Sequence, residues 1–339
     1  VIPYVDIYIK SPVNFYEEYE LTEDELSWLF LMFEEGNGQD ATDIFIQQFI
    51  LPPSTKYQDV ILSYMGVIDS GLLEQKEENK LVRNITLLSL GLIALLKDNY
   101  SKYIKSVYAP QIFKNNNLDN AGVKDKIIDE VLSKFDESIQ ATFSQSDIFI
   151  VNSIRTLQRE MLAENFRLMK TKVPEEAMDV MIKRFKASLR NKYPEIYKAM
   201  EEGNIIVTSR MTDTGIKFMH FKIDYYVDMS VRTTLLNADR TTVEIMALAN
   251  DEKIVEYYLS DNRAVNKDRD ICQKILSNKI YGMSLLATDD ITAKKLGIYS
   301  IQEAKSTPDY IFSYGCRHNI RRLPRDFLNR IDELLKEAA

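Results

Sequence analysis

The chain has 339 residues, 45% of them hydrophobic and 28% charged, with only 11 Gly and 9 Pro. That composition excludes a collagen-like or largely disordered chain and disfavours an all-β sandwich, which needs many tight turns. The net charge of −8 is uneven, with −12 in residues 1–80, +3 in 81–203 and +1 in 204–339, which excludes a uniformly basic nucleic-acid binder.

At roughly 100–200 residues per domain, the length predicts two domains. Two cysteines are too few for a disulfide scaffold. In chain order, Thr22-Glu-Asp-Glu25 reads as a capping box ahead of the apolar run SWLFLMF, with Gly36 as its stop. Pro52-Pro53 precedes a helix over Tyr57–Ile68, with Gly71 beyond its end. A long helix is expected over about 81–108, broken by Pro110 and Asn115-Asn-Asn117. It holds the most apolar run, Ile85–Leu96, twelve residues long. A bilayer needs about 20, so a buried core helix is expected, with no membrane span and no membrane partner.

Asp119–Met169 reads as one or two amphipathic helices. Pro174 suits the first turn of another, and Pro194 starts a short helix that Gly203 ends. The pattern then changes. NIIVTSR (204–210) and IKFMHF (216–221) are rich in β-branched and aromatic residues, and Asp213 and Gly215 lie between them. This predicts a β-hairpin. A helix over about 223–250, a strand at 253–260, short strands in a loop-rich stretch and a terminal helix at 324–338 complete the chain. The fold expected is a mostly α N-terminal region with an α+β C-terminal domain built of hairpin, central helix and short strands. The segments are an acidic helical 1–80, a helical 81–203 and an α+β 204–339.

Catalytic motifs are missing from the string. It has no Gly-rich phosphate loop, no HExxH and no GxSxG. Only two histidines occur, and His220 reads as a strand residue. Asp289-Asp290 reads as a loop. A non-enzyme without cofactor is expected. The closest approach to a metal site is Cys272, Cys316 and His318. A structural zinc takes four such ligands, so no metal is expected there unless Asp268 or Asp270 adds one. Arg317, Arg321, Arg322, Arg325 and Arg330 fall within fourteen residues that hold one acid, Asp326. They form a cationic patch for DNA or an acidic partner, or else they brace the terminal helix through Asp326, Asp332 and Glu333.

The ordered string EEGNIIVTSRMTDTGIKFMHFKIDYYVDMSVRTT, EYYLSDNRAVNKDRDICQKILSNKIYGM, SYGCRHNIRRLP resembles the minor capsid and head-morphogenesis proteins of tailed bacteriophages, in particular the minor capsid protein 2 group and the broader phage Mu F-like family. The elements that carry the resemblance are Gly203, Asp213, Gly215 and Phe218 in the hairpin, then Tyr225 or Tyr226. They continue with Arg232-Thr233-Thr234 on the helix, Asp268-Arg269-Asp270 with Cys272, Lys279-Ile-Tyr281, and Cys316-Arg317-His318 before Pro324. Asn278 stands where the family has Gly, and Gly315 where it has Asn.

The resemblance covers about 203–324 and implies a Mu F-like minor capsid domain within 204–339. It implies a minor structural protein of the virion, portal-associated, acting in head morphogenesis and in DNA packaging or ejection. Portal or capsid proteins and packaged viral DNA would be its partners, and the virion, assembled in the bacterial cytoplasm, its location. Apart from the resemblance, Arg232 lies on the apolar-rich helix YYVDMSVRTTLLNA and, if buried there, must pair with a carboxylate or carbonyl, for which Asp268, Asp270 or a loop carbonyl are candidates. Two alternatives are an effector enzyme of the ADP-ribosyltransferase type and a higher-copy head or neck subunit.

Overall fold

The computed structural model describes residues 15–69, 75–171, 175–212, 215–259, 270–306 and 318–337. Asp213, Asp268, Cys316 and Arg317, with Gly71 and Pro174, lie outside the described residues. The architecture is mostly helical at first and α+β toward the end. Spatial proximity groups the chain into two units, each discontinuous in sequence. One comprises residues up to Glu25, Asp40–Tyr100 and Asp136–Asp228; the other comprises Leu26–Gln39, Ser101–Phe135 and Met229 onward.

Helix α1 (Glu23–Glu34) starts on the expected box. Thr22 N and Oγ1 both donate to Glu25 Oε2, at 2.9 and 2.6 Å, and Glu25 N donates back to Thr22 Oγ1. Gly36, at φ 90°, makes the turn after it. Helix α2 (Gly38–Phe45) runs through a π turn at Ile46–Ile50 into α3 (Leu51–Asp69). Helix α4 (Gln75–Tyr103) runs through a second π turn at Ile104–Tyr108 into α5 (Ala109–Asn115). Pro52-Pro53 and Pro110 therefore lie inside continuous helical runs, not at the breaks expected from sequence.

The cause is the same both times. The turn before each proline is wound i→i+5, so Leu51 N donates to Ile46 O and Ala109 N to Ile104 O. The prolines follow immediately, where the wider turn removes the usual clash and the call for an N–H. The chain does break at Asn117, φ 56°. Because the run continues, Asn79–Asn115 is long and apolar enough to cross a bilayer by composition, which the twelve-residue run did not suggest. Its most apolar window is one-third buried. Ile85, Leu88, Leu92 and Leu96 form a fully buried stripe at helical spacing, as a core helix requires.

Next come α6 (Ala121–Lys170), one helix of 50 residues, α7 (Glu175–Lys192) and α8 (Pro194–Glu202). The hairpin is β1 (Ile206–Thr212) and β2 (Gly215–Phe221), paired from Ile206↔Phe221 to Thr212↔Gly215. Its base is fixed to α6, where Val207 N donates to Ser146 Oγ at 3.0 Å and His220 meets Phe149 edge-on at 4.9 Å. In the same unit Asn99, fully buried, ties three segments together. It accepts from Leu21 N at 2.9 Å and donates to Tyr19 O and Phe49 O.

Helix α9 (Ile223–Ala249) leads to β3 (Ile254–Leu259), α10 (Asp270–Ser277), β4 (Lys279–Ile280), β5 (Met283–Ala287), α11 (Asp290–Leu296), α12 (Ile301–Ser306), β6 (His318–Arg321) and α13 (Arg325–Glu337). The sheet order is β4-β5-β3-β6, antiparallel throughout. Strand alternation sends Val255, Tyr257 and Leu286 to one face, against residues of α9, α10 and α12. Ile254, Leu285 and Ala287 go to the other, against α11 and α13. Both faces are buried, so neither can serve as an open cleft. Asp289, expected in a loop, is the N-cap of α11 and accepts from Thr292 N and Oγ1, each at 2.8 Å.

Candidate functional site

Of the sequence-predicted residues that the structure describes, Cys272, His318, Arg321 and Arg322 lie on β6, just after it, or on an element packed against it. β6 is an edge strand, and its outer backbone groups need partners other than a strand. Helix α9 and β6's own Asn319 supply them. Arg240, 2% exposed, donates through Nη2 to the carbonyl of His318 and through Nη1 to Asn237 Oδ1 at 2.8 Å. Next to it, the Asn319 amide donates to Asp239, and Asn319 Oδ1 accepts from Ile320 N at 2.9 Å. Burial pushes the Asp239 carboxyl above the ordinary aspartate range; the Asn319 bond and the neighbouring Arg240 charge pull it partly back.

His318 itself is buried and stacks flat on Tyr257, centroids 5.0 Å apart and 10° between planes. Tyr257 donates its hydroxyl to Cys272 Sγ at 3.3 Å. Cys272 lies in the apolar layer beside Ile271 and Ile275, where a thiol behaves as a small hydrophobe. Cys272 and His318 thus touch one tyrosine, His318 on its ring face and Cys272 at its hydroxyl. Among the described residues no group of three His, Cys, Asp or Glu side chains is placed to hold a metal ion.

Arg321, Arg325 and Arg330 are exposed and Arg322 is half-buried, and two of the four are ion-paired. Arg321 stands directly across from Glu256 in the β3–β6 ladder; its Nε donates to Glu256 at 2.7 Å and its guanidinium covers the Tyr258 ring at 5.1 Å. Arg322 grips Glu252 through Nε, 3.0 Å from each carboxylate oxygen, and through Nη2. Each carboxylate holds its arginine further into the charged state. Arg330 covers the Tyr281 ring at 4.3 Å, and Tyr281 meets Phe327 edge-on. The bracing partners are therefore Glu252, Glu256 and Tyr281, not Asp326, Asp332 and Glu333. Arg325 is exposed on α13.

The other motif positions have structural places. Gly203 ends α8 at φ 71°, where an added Cβ would come 3.1 Å from Gln58; Gln58 in turn accepts from Ile223 N at the start of α9. Gly215 opens β2 at φ 118°. Tyr226 is the buried member of the tyrosine pair, its hydroxyl bonded to Thr142 and 3.2 Å from Ser138; Tyr225 is exposed. Thr233 is buried and Arg232 half-buried. The fully buried arginine of this helix is Arg240, two turns on from Arg232. A sequence signal for it exists: Arg240 precedes the buried Val243 and Ala247 by three and seven residues, which is core-stripe spacing. Asp270 begins α10. Tyr281, at φ 50°, with Gly282, makes the two-residue turn between β4 and β5.

Chemically this is a set of structural braces. The carboxylates are bonded to arginine or amide, the histidine stacks on a tyrosine, and the thiol is buried. Compared with family models, with curated proteins and with solved structures, the chain matches none.

Proposed function

We propose that the chain is a minor structural protein of a tailed-bacteriophage virion, portal-associated and acting in head morphogenesis. The observation that carries this reading is the ordered motif string from Gly203 to Pro324. The positions of that string that can be placed are a helix stop, strand starts, a turn and buried ring or backbone contacts. A string that preserves a scaffold supports an assembly role over a catalytic one. Portal and capsid proteins are the partners proposed. Packaged DNA is a weaker one, since Arg321 and Arg322 are already neutralised by Glu256 and Glu252.

Quantitative mass spectrometry of purified particles, with immunogold labelling, tests the reading. A few copies at a single vertex are expected. Absence from the particle overturns it, and hundreds of copies across the shell would make the chain a major subunit instead. Incubation with labelled NAD is expected to give no transfer; transfer of ADP-ribose to a protein would favour the effector-enzyme alternative.

A further inference from the structure

Residues 11–55 contain ten acidic side chains and no Lys or Arg. Within them α1 exposes Asp24, Trp28 and Leu31, and Glu35 in the turn just after it, spaced i, i+4, i+7 and i+11 and hence on one face. Trp28 is 46% and Leu31 55% exposed. An exposed tryptophan and leucine side by side, ringed by carboxylates, is an unusual surface for a helix that is otherwise buried through Leu26 and Leu29.

The opposite surface occurs elsewhere in the chain. From 180 to 194 there are five Lys or Arg and no acid. Helix α7 exposes Val180, Lys183, Arg184 and Ala187, again at helical spacing, with Val180 50% exposed. Each face joins an apolar spot to charge, and the charges are of opposite sign.

We infer that the acidic Trp28 face of one copy docks on the basic α7 face of a second copy. Desolvating Trp28 and Leu31 against Val180 and the lysine and arginine stems supplies the central contact, as aromatic anchors do in protein interfaces. The charges set orientation and speed encounter. The two patches are different surfaces, so the contact is heterologous. An open oligomer keeps one free face of each kind at its two ends, so assembly continues head to tail until a ring closes. This inference is independent of the virion reading.

Trp28 is the only tryptophan of the chain, so its emission reports docking directly. Sedimentation of the full chain at low salt should show a mass that rises with concentration above 39.3 kDa. The Trp28 emission should shift to the blue in step, and about 0.5 M salt should reverse both. Lys183→Glu with Arg184→Glu, and separately Asp24→Lys with Glu35→Lys, should each weaken self-association by at least about tenfold. Mixed together, the two double variants should associate again, because every α1–α7 pairing between unlike copies is then attractive. That rescue separates loss of docking from loss of folding. A wild-type chain that stays monomeric at low salt, double variants that associate as well as wild type, or a mixture that fails to recover overturns the inference.

Discussion

At the scale of single residues, two half-buried carboxylates have opposite fortunes. Glu252 is 8% exposed and held by Arg322, itself 26% exposed. Asp147 has no cation among its bonded partners; it accepts from Tyr57 OH at 3.0 Å, and Ser89 also lowers its pKa. Burial dominates and raises the Asp147 pKa from 3.8 to about 6. The folded protein then binds this proton more tightly than the unfolded chain does. Stability from this group is therefore full below about pH 4, falls as pH rises toward about 6, and stays low above it. Asp147→Asn keeps an oxygen for Tyr57 and removes the charge. Urea denaturation should find it more stable than wild type by up to about 3 kcal/mol at pH 7, with the gain gone at pH 3.5. An equal difference at both pH values would show that the charge is not the cause.

The arginines give the converse test. Arg322→Ala leaves the carboxylate of Glu252 buried without its cation and should cost about 2–4 kcal/mol. Arg321 is itself 60% exposed over a Glu256 that is 14% exposed, so water can reach the carboxylate once the guanidinium is gone, and Arg321→Ala should cost no more than about 1 kcal/mol. Thermal melts of the two variants compare them directly, and equal losses would contradict the burial difference.

At the scale of elements, legibility followed how local the determining physics is. The Thr22–Glu25 box, the Gly203 stop and the presence of the hairpin each depend on a few adjacent residues, and these were readable. The prolines were misread because the rule that proline breaks a helix assumes α winding. A π turn immediately upstream changes which carbonyl the next donor would meet, and nothing in IQQFI or IKSVY announces that turn. Arg240 was missed for another reason. Its partner is a backbone carbonyl on a strand 78 residues away, a pairing that tertiary structure alone creates. The arginine cluster was visible, but the acids that claim it, Glu252 and Glu256, lie about 65–70 residues upstream. The π turn makes a prediction. Pro110→Ala restores an N–H where the winding has already relieved its absence, so stability by urea denaturation should change by less than about 1 kcal/mol. A proline in the middle of a regular α-helix costs about 3 kcal/mol, and a gain of that size on removal would mean Pro110 is strained.

At the scale of the whole molecule, charge layout decides what the protein can hold. The chain carries −8 in total and −12 in its first 80 residues, which repels a polyanion at long range. Within the arginine cluster, Arg321 and Arg322 spend their charge on Glu256 and Glu252. Arg330 covers a tyrosine ring, and Arg325 is exposed. A phosphate contact requires a cation whose charge is not already neutralised, and each such contact contributes about one unit to the slope of log K against log salt. If DNA binds this surface at all, the triple replacement of Arg321, Arg322 and Arg325 by Ala should lower that slope by about 1, the same as Arg325→Ala alone. The triple variant should also melt earlier, because Glu252 loses its partner, whereas Arg325→Ala should not. Titrating duplex DNA into wild type, single and triple variants at two salt concentrations tests this. A triple variant whose slope drops by about 3 would show that Arg321 and Arg322 leave their carboxylates to meet phosphate, and that the braces on β3 open when DNA arrives.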